Sequence, residues 1–341
     1  MSDNVRLPSL STFPRLLMHH AQVRPNHPAT REKDMGIWQT WTWLQVAEEV
    51  RAMASGPAEL GFKRGDNLAI IGDNRPRLYW AMCAAQCLGG VPVPLYQDAV
   101  AAEMIFVLQD AGIKFAIVED QEQVDKLLEN MAQCPGLQHI LYDDPRGMRH
   151  YNQPFLHGLD EVQEMGRIHN RNHPEFIDGE IDLGKPEDVA VMLYTSGTTG
   201  KPKGVCQTHA AFIAAAQSGC EFDKLVPEDN ILSYLPMAWV GDHLFSFAQA
   251  TYAGFTINCP ESGDTVMTDM REIGPSYYFA PPRVFENLLT QVMIRMEDAS
   301  AIKRSMFHYF MGVARRCGAE ILDGKPVRGA GRLLYAFGNL L

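Results

Sequence analysis

Between Asn67 and Tyr142, short apolar runs alternate with segments in which apolar residues recur at helical spacing. Short apolar runs bounded by turn residues are typical of strands, and helical spacing indicates amphipathic helices. We predict strands at 68–71, 91–95, 115–118 and 137–142, and helices at 76–88, 101–112 and 121–133. This alternation predicts an α/β fold in which a mostly parallel, doubly wound sheet is flanked by helices.

The residues before Asn67 predict a helix at 13–21 and a strand at 37–43, which is rich in Trp and Thr. A second helix begins after Thr42, because Thr42 and Gln45 have the spacing of a capping box. The apolar residues that follow lie on one helical face: Val46, Val50, Met53 and Ala54.

A second alternation follows residue 187. Strands are predicted at 205–207, 231–235, 256–259 and 277–280, and helices at 209–217, 241–252, 266–273, 284–298 and 301–317. We therefore predict two α/β subdomains, at 1–150 and 187–341, each with its own sheet.

Residues 151–186 are predicted to connect the subdomains with little regular structure, because they are polar and contain scattered Gly and Pro. The histidines in this connection, His157, His169 and His173, lack the spacing of a metal site and are expected in exposed loops.

Composition excludes several classes of protein. The net charge of −11 and the pI near 5.5 argue against a nucleic-acid partner. Seven cysteines without a Cys-x-x-Cys pair indicate reduced, mostly buried thiols. No secretion signal and no apolar run near 18 residues is evident, so the sequence predicts a cytoplasmic protein without a transmembrane segment.

Asp73-Asn74-Arg75-Pro76 follows a predicted strand and opens a predicted helix. Two interpretations remain open. The end of a strand in an open α/β sheet is a common place for a binding site. Alternatively, Asp73 or Asn74 caps the helix and Pro76 occupies its first turn, which is the interpretation we favour.

The stretch from Tyr194 to Gly204, YTSGTTGKPKG, combines hydroxyls, glycines and lysines without an acidic residue. Glycines allow successive backbone N–H groups to point into one concavity, where hydroxyl and ammonium groups add further donors. The stretch therefore predicts a phosphate site. It is not a Walker loop, because Thr195 replaces the first glycine and Pro202 replaces the hydroxyl residue that would bind magnesium.

These eleven residues resemble, position by position, the phosphate-binding signature of the adenylate-forming superfamily. Leu235-Pro236-Met237 and residues 280–286 resemble further segments of its long-chain fatty acyl-CoA ligases. The resemblance implies a loop that joins two strands and binds the β- and γ-phosphates of ATP. The residues implied in phosphate binding are Thr195, Ser196, Gly197, Thr198, Thr199, Gly200, Lys201 and Lys203.

The resemblance also implies a two-step activation of a carboxylic acid, most like a long-chain fatty acid, with ATP, magnesium carried by ATP, and coenzyme A. No metal site of the protein's own is expected. An aryl-CoA or short-chain ligase and a non-catalytic nucleotide-binding or scaffolding module remain alternatives. The sequence leaves peripheral membrane contact and the oligomeric state open.

Two departures from the family pattern affect the site. Trp239 stands where many members have histidine, and the nearest histidine is His243. Both are candidates for the acyl-substrate pocket, although a core role for Trp239 is equally consistent. The family's magnesium and ribose segments, hinge and late lysine are not found. We therefore expect an inactive N-terminal portion, with the main catalytic lysine beyond Leu341.

Overall fold

The computed structural model describes residues 10–195 and 202–340. Its strands are β1 (Pro28–Asp34), β2 (Ile37–Thr42), β3 (Asn67–Ile71), β4 (Val91–Leu95), β5 (Phe115–Val118), β6 (His139–Tyr142), β7 (Leu156–Gly158), β8 (Val189–Thr195), β9 (Lys203–Thr208), β10 (Asn230–Leu232) and β11 (Thr256–Cys259).

The helices before β8 are α1 (Phe13–Val23), α2 (Trp43–Glu59), α3 (Pro76–Cys87), α4 (Ala101–Asp110), α5 (Gln121–Asn130), α6 (Leu159–Asn172) and α7 (Phe176–Leu183), with a 3₁₀ turn at Met148–His150. Those after β9 are α8 (His209–Asp223), α9 (Val240–Asp242), a π-helical segment (His243–Ala248), α10 (Gln249–Ala253), α11 (Val266–Ile273), α12 (Pro282–Glu297), α13 (Ala301–Leu322) and α14 (Ala330–Leu340).

The first alternation folds as predicted, into a parallel sheet of order β4-β3-β5-β6-β7. Successive residues of β3 contribute to different cores, because side chains alternate between the faces of a strand. Leu68 and Ile70 pack with α1, α2 and α3, whereas Ala69 and Ile71 pack with α4 and α5. Helices on both faces confirm the doubly wound prediction.

The capping box at the start of α2 is also confirmed. Thr42 Oγ1 accepts a hydrogen bond from the backbone N–H of Gln45 at 3.3 Å, and the backbone N–H of Thr42 donates to Gln45 Oε1 at 2.9 Å. These two bonds satisfy the backbone N–H groups of Thr42 and Gln45, which have no carbonyl partner within the helix.

The prediction of little regular structure at 151–186 is wrong, because this segment contains β7, α6 and α7. Two glycines allow α6 to pack tightly on α2. A Cβ atom at Gly166 would lie 1.9 Å from the Ala52 carbonyl oxygen, and one at Gly56 would lie 2.2 Å from the Val162 carbonyl oxygen. These glycines allow close packing of two helices. In the sequence, such a glycine looks the same as a glycine that ends a helix or forms a loop.

The expected exposure of the histidines in this segment is correct only for His173. His157 is half-buried, and its Nε2 lies 3.0 Å from Nδ1 of His139. His169 lies in α6 with its side chain largely covered, and it contacts the carboxylate of Glu59.

A second sheet has the order β10-β11-β1-β2. Parallel β1 and β11 pair Thr30 with Ile257, so residues on either side of the predicted connection share one sheet. The predicted separation of the sheets at 1–150 and 187–341 is therefore wrong. Strand β1 was not predicted, because its sequence, PATREKD, is mainly polar.

The chain forms two compact units that divide between Tyr278 and Phe279. The prediction of a strand at 277–280 is wrong, because Tyr277 forms only an isolated β-bridge with Ile231. The unit after Tyr278 consists of α12, α13 and α14, which confirms its predicted helices. Within that unit, Val313 and Cys317 are the described buried apolar residues.

Candidate functional site

Strands β8 and β9 form an antiparallel pair that flanks the predicted phosphate loop. Buried Ala190, Val191 and Leu193 fix β8 in the core. Thr195 and Lys203 are partners in the register and stand exposed on the two sides of the loop. The structure thus agrees with the implied loop between two strands. The other predicted phosphate-binding residues lie outside the described residues: Ser196, Gly197, Thr198, Thr199, Gly200 and Lys201.

A cleft of about 510 Å³ lies beside the two ends of this loop. We call it the strand-end cleft, because Leu95 at the end of β4 and Thr195 at the end of β8 both line it. Pro202, on the far side of the phosphate loop, and Ala238 also line the cleft. Ligands of open α/β sheets bind outside the carboxyl ends of strands, which is where this cleft lies.

Ala238 belongs to the segment Leu235 to Trp239, which we call the 235–239 segment. Its apolar residues Leu235, Met237 and Ala238 are buried, whereas Trp239 is half-buried at the start of α9. Ala238, which directly follows the sequence that resembles the ligases' Leu-Pro segment, therefore borders the same cleft as the flanks of the phosphate loop.

His243 occupies a different environment. Its ring lies among the rings of Phe13, Phe212 and Phe247, at centroid distances of 6.5, 4.9 and 5.0 Å. Neither ring nitrogen has a hydrogen-bond partner within the described part of the chain. Burial, with a smaller contribution from His209, lowers the pKa of His243 to about 3, so the ring is neutral near pH 7. The roles of Trp239 and His243 in an acyl pocket stay predictions.

The capping prediction for Asp73 and Asn74 is wrong. Arg75 is the N-cap residue of α3, and neither side chain caps the helix. Gln97 Nε2 instead donates to Asp73 Oδ1 at 3.0 Å, and Asn74 points into the protein. Pro76 does occupy the first turn, as predicted.

Asn74 belongs to a buried polar group with Tyr79, Ser233 and Asp242, which we call the Asp242 cluster. Asp242 is fully buried and accepts hydrogen bonds from Tyr79 OH at 2.7 Å, Ser233 Oγ at 2.9 Å and Asn74 Nδ2 at 3.2 Å. Burial raises the pKa of Asp242 to about 7, although the hydrogen bonds oppose this shift. Of this cluster, the sequence analysis identified only Asn74 as a candidate, because it lies in the polar stretch after β3.

Arg75 connects the two larger sheets at the ends of their strands. Its Nε donates to Glu119 Oε1 at 2.7 Å, and Nη1 lies 3.4 Å from Glu32 Oε1. It also donates to the backbone carbonyls of Pro260 and Glu261 at 3.2 and 3.1 Å. Burial raises the pKa of Glu32 to about 7, against the opposing charge of Arg75. These partners within the protein indicate a structural role for Arg75.

Two further predictions concern cysteines and metals. All seven cysteines are free, and all but Cys206 are buried, which confirms the predicted thiols. No group of three or more His, Cys, Asp and Glu side chains in 10–195 and 202–340 is arranged to hold a metal ion.

The fold and the strands that flank the phosphate loop agree with the class of AMP-binding proteins. The sequence pattern of the AMP-binding enzyme family matches residues 17–334, and the chain belongs to that family. It is 25% identical over 285 residues to the long-chain-fatty-acid–CoA ligase ACSBG1 of Rattus norvegicus, covering 81% of this chain and 39% of the relative. It is 27% identical over 333 residues to the long-chain-fatty-acid–CoA ligase ACSBG2 of Xenopus laevis, covering 95% and 44%.

Among solved structures, the anthranilate CoA ligase AuaEII in complex with anthranoyl-AMP superposes with a TM-score of 0.68. The sequence identity is 19%, and the match covers 79% of this chain and 49% of that structure. This likeness concerns the fold. The chain spans about two fifths of the length of the two curated relatives.

Proposed function

We propose that the protein takes part in the ATP-dependent activation of a carboxylic acid, a long-chain fatty acid by preference, to an acyl-CoA thioester. The observation that carries this proposal is that Thr195, Pro202 and Ala238 line one cleft. The ends of the phosphate signature and the 235–239 segment thus border a common space. Membership of the AMP-binding family and likeness to named long-chain ligases support the same chemistry.

In the first step, a carboxylate oxygen of the acid attacks the α-phosphorus of ATP. The bond from that phosphorus to the bridging oxygen breaks, and acyl-AMP and pyrophosphate form. In the second step, the sulfur of coenzyme A attacks the acyl carbon and AMP leaves with the bonding electrons, while the thiol proton is lost. Charge accumulates on pyrophosphate in the first step and on AMP in the second.

The signature loop acts on the first step in this proposal. Lys201 and Lys203 offset negative charge on the leaving pyrophosphate, and Thr195, Ser196, Thr198 and Thr199 donate directed hydrogen bonds. Backbone N–H groups at Gly197 and Gly200 bind the same oxygens. Magnesium bound to the phosphates of ATP would neutralise negative charge on their oxygens.

The strand-end cleft suits an aliphatic chain. Leu95, Ala99, Met104 and Phe106 line it, so most of the wall that we assign to the acid is apolar. We place the reaction in the cytoplasm because the cysteines are free thiols. No helix in the described parts of the chain combines the length and apolar character needed to cross a bilayer.

The test is acid-dependent exchange of labelled pyrophosphate into ATP, catalysed by the purified full-length gene product. We expect Lys201→Ala or Thr199→Ala to lower the exchange rate at least about tenfold, which corresponds to roughly 1.4 kcal/mol. Lys63→Ala, which removes an exposed lysine outside the cleft, is the matched control and is expected to change the rate by less than about twofold. Unchanged exchange in the two loop variants contradicts the assignment.

A panel of acids then tests the substrate class. Palmitate is expected to support faster coenzyme A consumption than benzoate or phenylacetate. A preference for an aromatic acid replaces the long-chain proposal with the aryl-CoA alternative, whereas absence of turnover with every acid favours a non-catalytic binding module.

A further inference from the structure

The Asp242 cluster holds both ends of the stretch that contains the 235–239 segment. Ser233 precedes this segment and Asp242 follows it, and the two side chains are joined by a hydrogen bond of 2.9 Å. Asn74 Nδ2 also donates to the carbonyl oxygen of Leu235 at 2.9 Å. The loop after β3 thereby fixes the backbone at the start of the segment.

The bonds within the cluster leave little freedom for movement. Asn74 Nδ2 lies within hydrogen-bond distance of Tyr79 OH at 2.8 Å and Ser233 Oγ at 3.0 Å, in addition to Leu235. Every member of the cluster is buried. A buried polar network whose groups are mutually bonded restricts the geometry of the backbone that it contacts.

The cluster borders the cleft only through the segment. None of its four side chains lines the strand-end cleft, whereas Ala238 does. The backbone turns between these two places, where the N–H of Trp239 donates to the Pro236 carbonyl at 2.8 Å. Leu235 and Ala238 are three residues apart in the chain, so we expect a displacement of Leu235 to move Ala238 as well.

We propose that the Asp242 cluster is a positioning device for the acid-binding wall of the strand-end cleft. Its members act through the 235–239 segment and do not contact the acid themselves. This inference rests on the proposed function, because it assumes that the acid binds beside Ala238. It adds that Asn74 and Asp242 determine how well the acid is held, while leaving the binding of ATP nearly unchanged.

The decisive variant is Asn74→Ala, which removes the bond to Leu235 and leaves the hydrogen bonds from Tyr79 and Ser233 to Asp242 in place. The matched control is Asn258→Ala. Asn258, like Asn74, is buried, and its Nδ2 also donates to a backbone carbonyl, that of Ile231, at 2.9 Å. The control loses a similar side-chain interaction, because Asn258 Nδ2 bonds to Asn230 and Ile231 in β10 and not to the carbonyl of Leu235. The backbone hydrogen bond from Ser233 to the Asn258 carbonyl does not depend on the side chain that is removed.

In pyrophosphate exchange by the full-length gene product, we expect Asn74→Ala to raise the KM for palmitate about tenfold. Its KM for ATP and its kcat at saturating acid are expected to stay within about twofold of the wild type. Asn258→Ala is expected to change neither KM by more than about twofold. A purely structural role for Asn74 predicts that the two variants behave alike.

Two other results are decisive. Equal acid KM values for Asn74→Ala and Asn258→Ala, with active wild-type enzyme, overturn the positioning role but leave the proposed function intact. Absence of exchange by the wild type overturns the proposed function itself. If Asn74→Ala does not fold, Ser233→Ala is used in its place, with an expected rise of about threefold in the acid KM and overturn of the proposal if that KM is unchanged.

Discussion

Asp242 and Asp269 are both fully buried aspartates, but their partners differ in charge. Asp269 forms an ion pair with Lys33 Nζ at 2.8 Å and accepts a hydrogen bond of 2.6 Å from Thr265 Oγ1. Burial by itself would raise the pKa of Asp269. The hydrogen bonds to its carboxylate have the larger effect, so the pKa lies below its usual value. A buried carboxylate with a cationic partner thus stays ionised.

Asp242 has the opposite behaviour. The hydrogen-bond donors described around it are all uncharged: Tyr79, Ser233, Ser246 and Asn74. They offset only part of the free energy lost when the carboxylate leaves water, so its pKa rises to about 7. The comparison shows that a carboxylate that accepts hydrogen bonds from a lysine stays ionised, whereas burial among uncharged donors raises the pKa of the carboxyl group.

The strongest test of this comparison removes the cation. Lys33→Met is expected to lower the Tm by about 4–8 °C, because it leaves Asp269 as a buried charge without its cationic partner. The measurement is thermal unfolding followed by circular dichroism at pH 7. Glu272→Gln is the control, since Glu272 also pairs with Lys33 at 2.8 Å but is more exposed. A loss in Lys33→Met no greater than that in Glu272→Gln contradicts the assigned role of the Lys33–Asp269 pair.

The next test uses pH. The folded pKa of Asp242, about 7, lies above its unfolded value near 3.9. The folded state therefore binds this proton more tightly, so the contribution of Asp242 to stability is full below pH 4 and is lost as pH rises to 7. The unfolding free energy of wild type minus that of Asp242→Asn is expected to fall by as much as about 4 kcal/mol over this range.

This difference is obtained from urea unfolding of both proteins at a series of pH values. Subtraction removes contributions of other groups that titrate in both proteins, including Glu32 and Asp143, whose pKa values burial raises to about 7 and about 6. A difference that stays constant between pH 4 and pH 7 shows that Asp242 remains ionised in the folded protein.

A smaller change is expected when one uncharged donor is removed. Tyr79→Phe keeps the buried ring but deletes the hydroxyl that donates to Asp242 at 2.7 Å. We expect a loss of about 1–2 kcal/mol in the unfolding free energy at pH 7, measured in urea. Tyr96→Phe, at a more exposed position, is expected to change it by less than about 0.5 kcal/mol. Equal losses in both variants would argue against a buried hydrogen bond at Tyr79.

Local sequence patterns predicted the elements whose signals are short in range. The alternation from β3 to β6, the capping box at Thr42 and the strand after the phosphate signature are examples. Each depends on a few neighbouring residues, so the pattern carries the information. Helix α6 escaped prediction because only a narrow stripe of its surface is buried, against the glycine-containing face of α2.

The candidate site likewise has some features that local sequence predicted and others that depend on tertiary contacts. The composition of residues 194–204 indicated a phosphate ligand, and resemblance identified the family. The sequence did not indicate that Ala238 borders the same cleft as Thr195 and Pro202, or that Asn74 turns inward to bond with Leu235. An asparagine side chain can cap a helix or donate a hydrogen bond inside the protein. The residues next to Asn74 in the sequence do not show which of these two roles it has.

The sequence by itself therefore determined the order and type of most elements, and it predicts a phosphate ligand for residues 194–204. Tertiary structure decided which distant residues meet: β1 with β11, Lys33 with Asp269, and Asn74 with Ser233 and Asp242. The physical reason is that periodicity and turn chemistry act over a few residues. Desolvation and hydrogen bonding, by contrast, depend on which side chains folding brings together, however far apart they are in the chain.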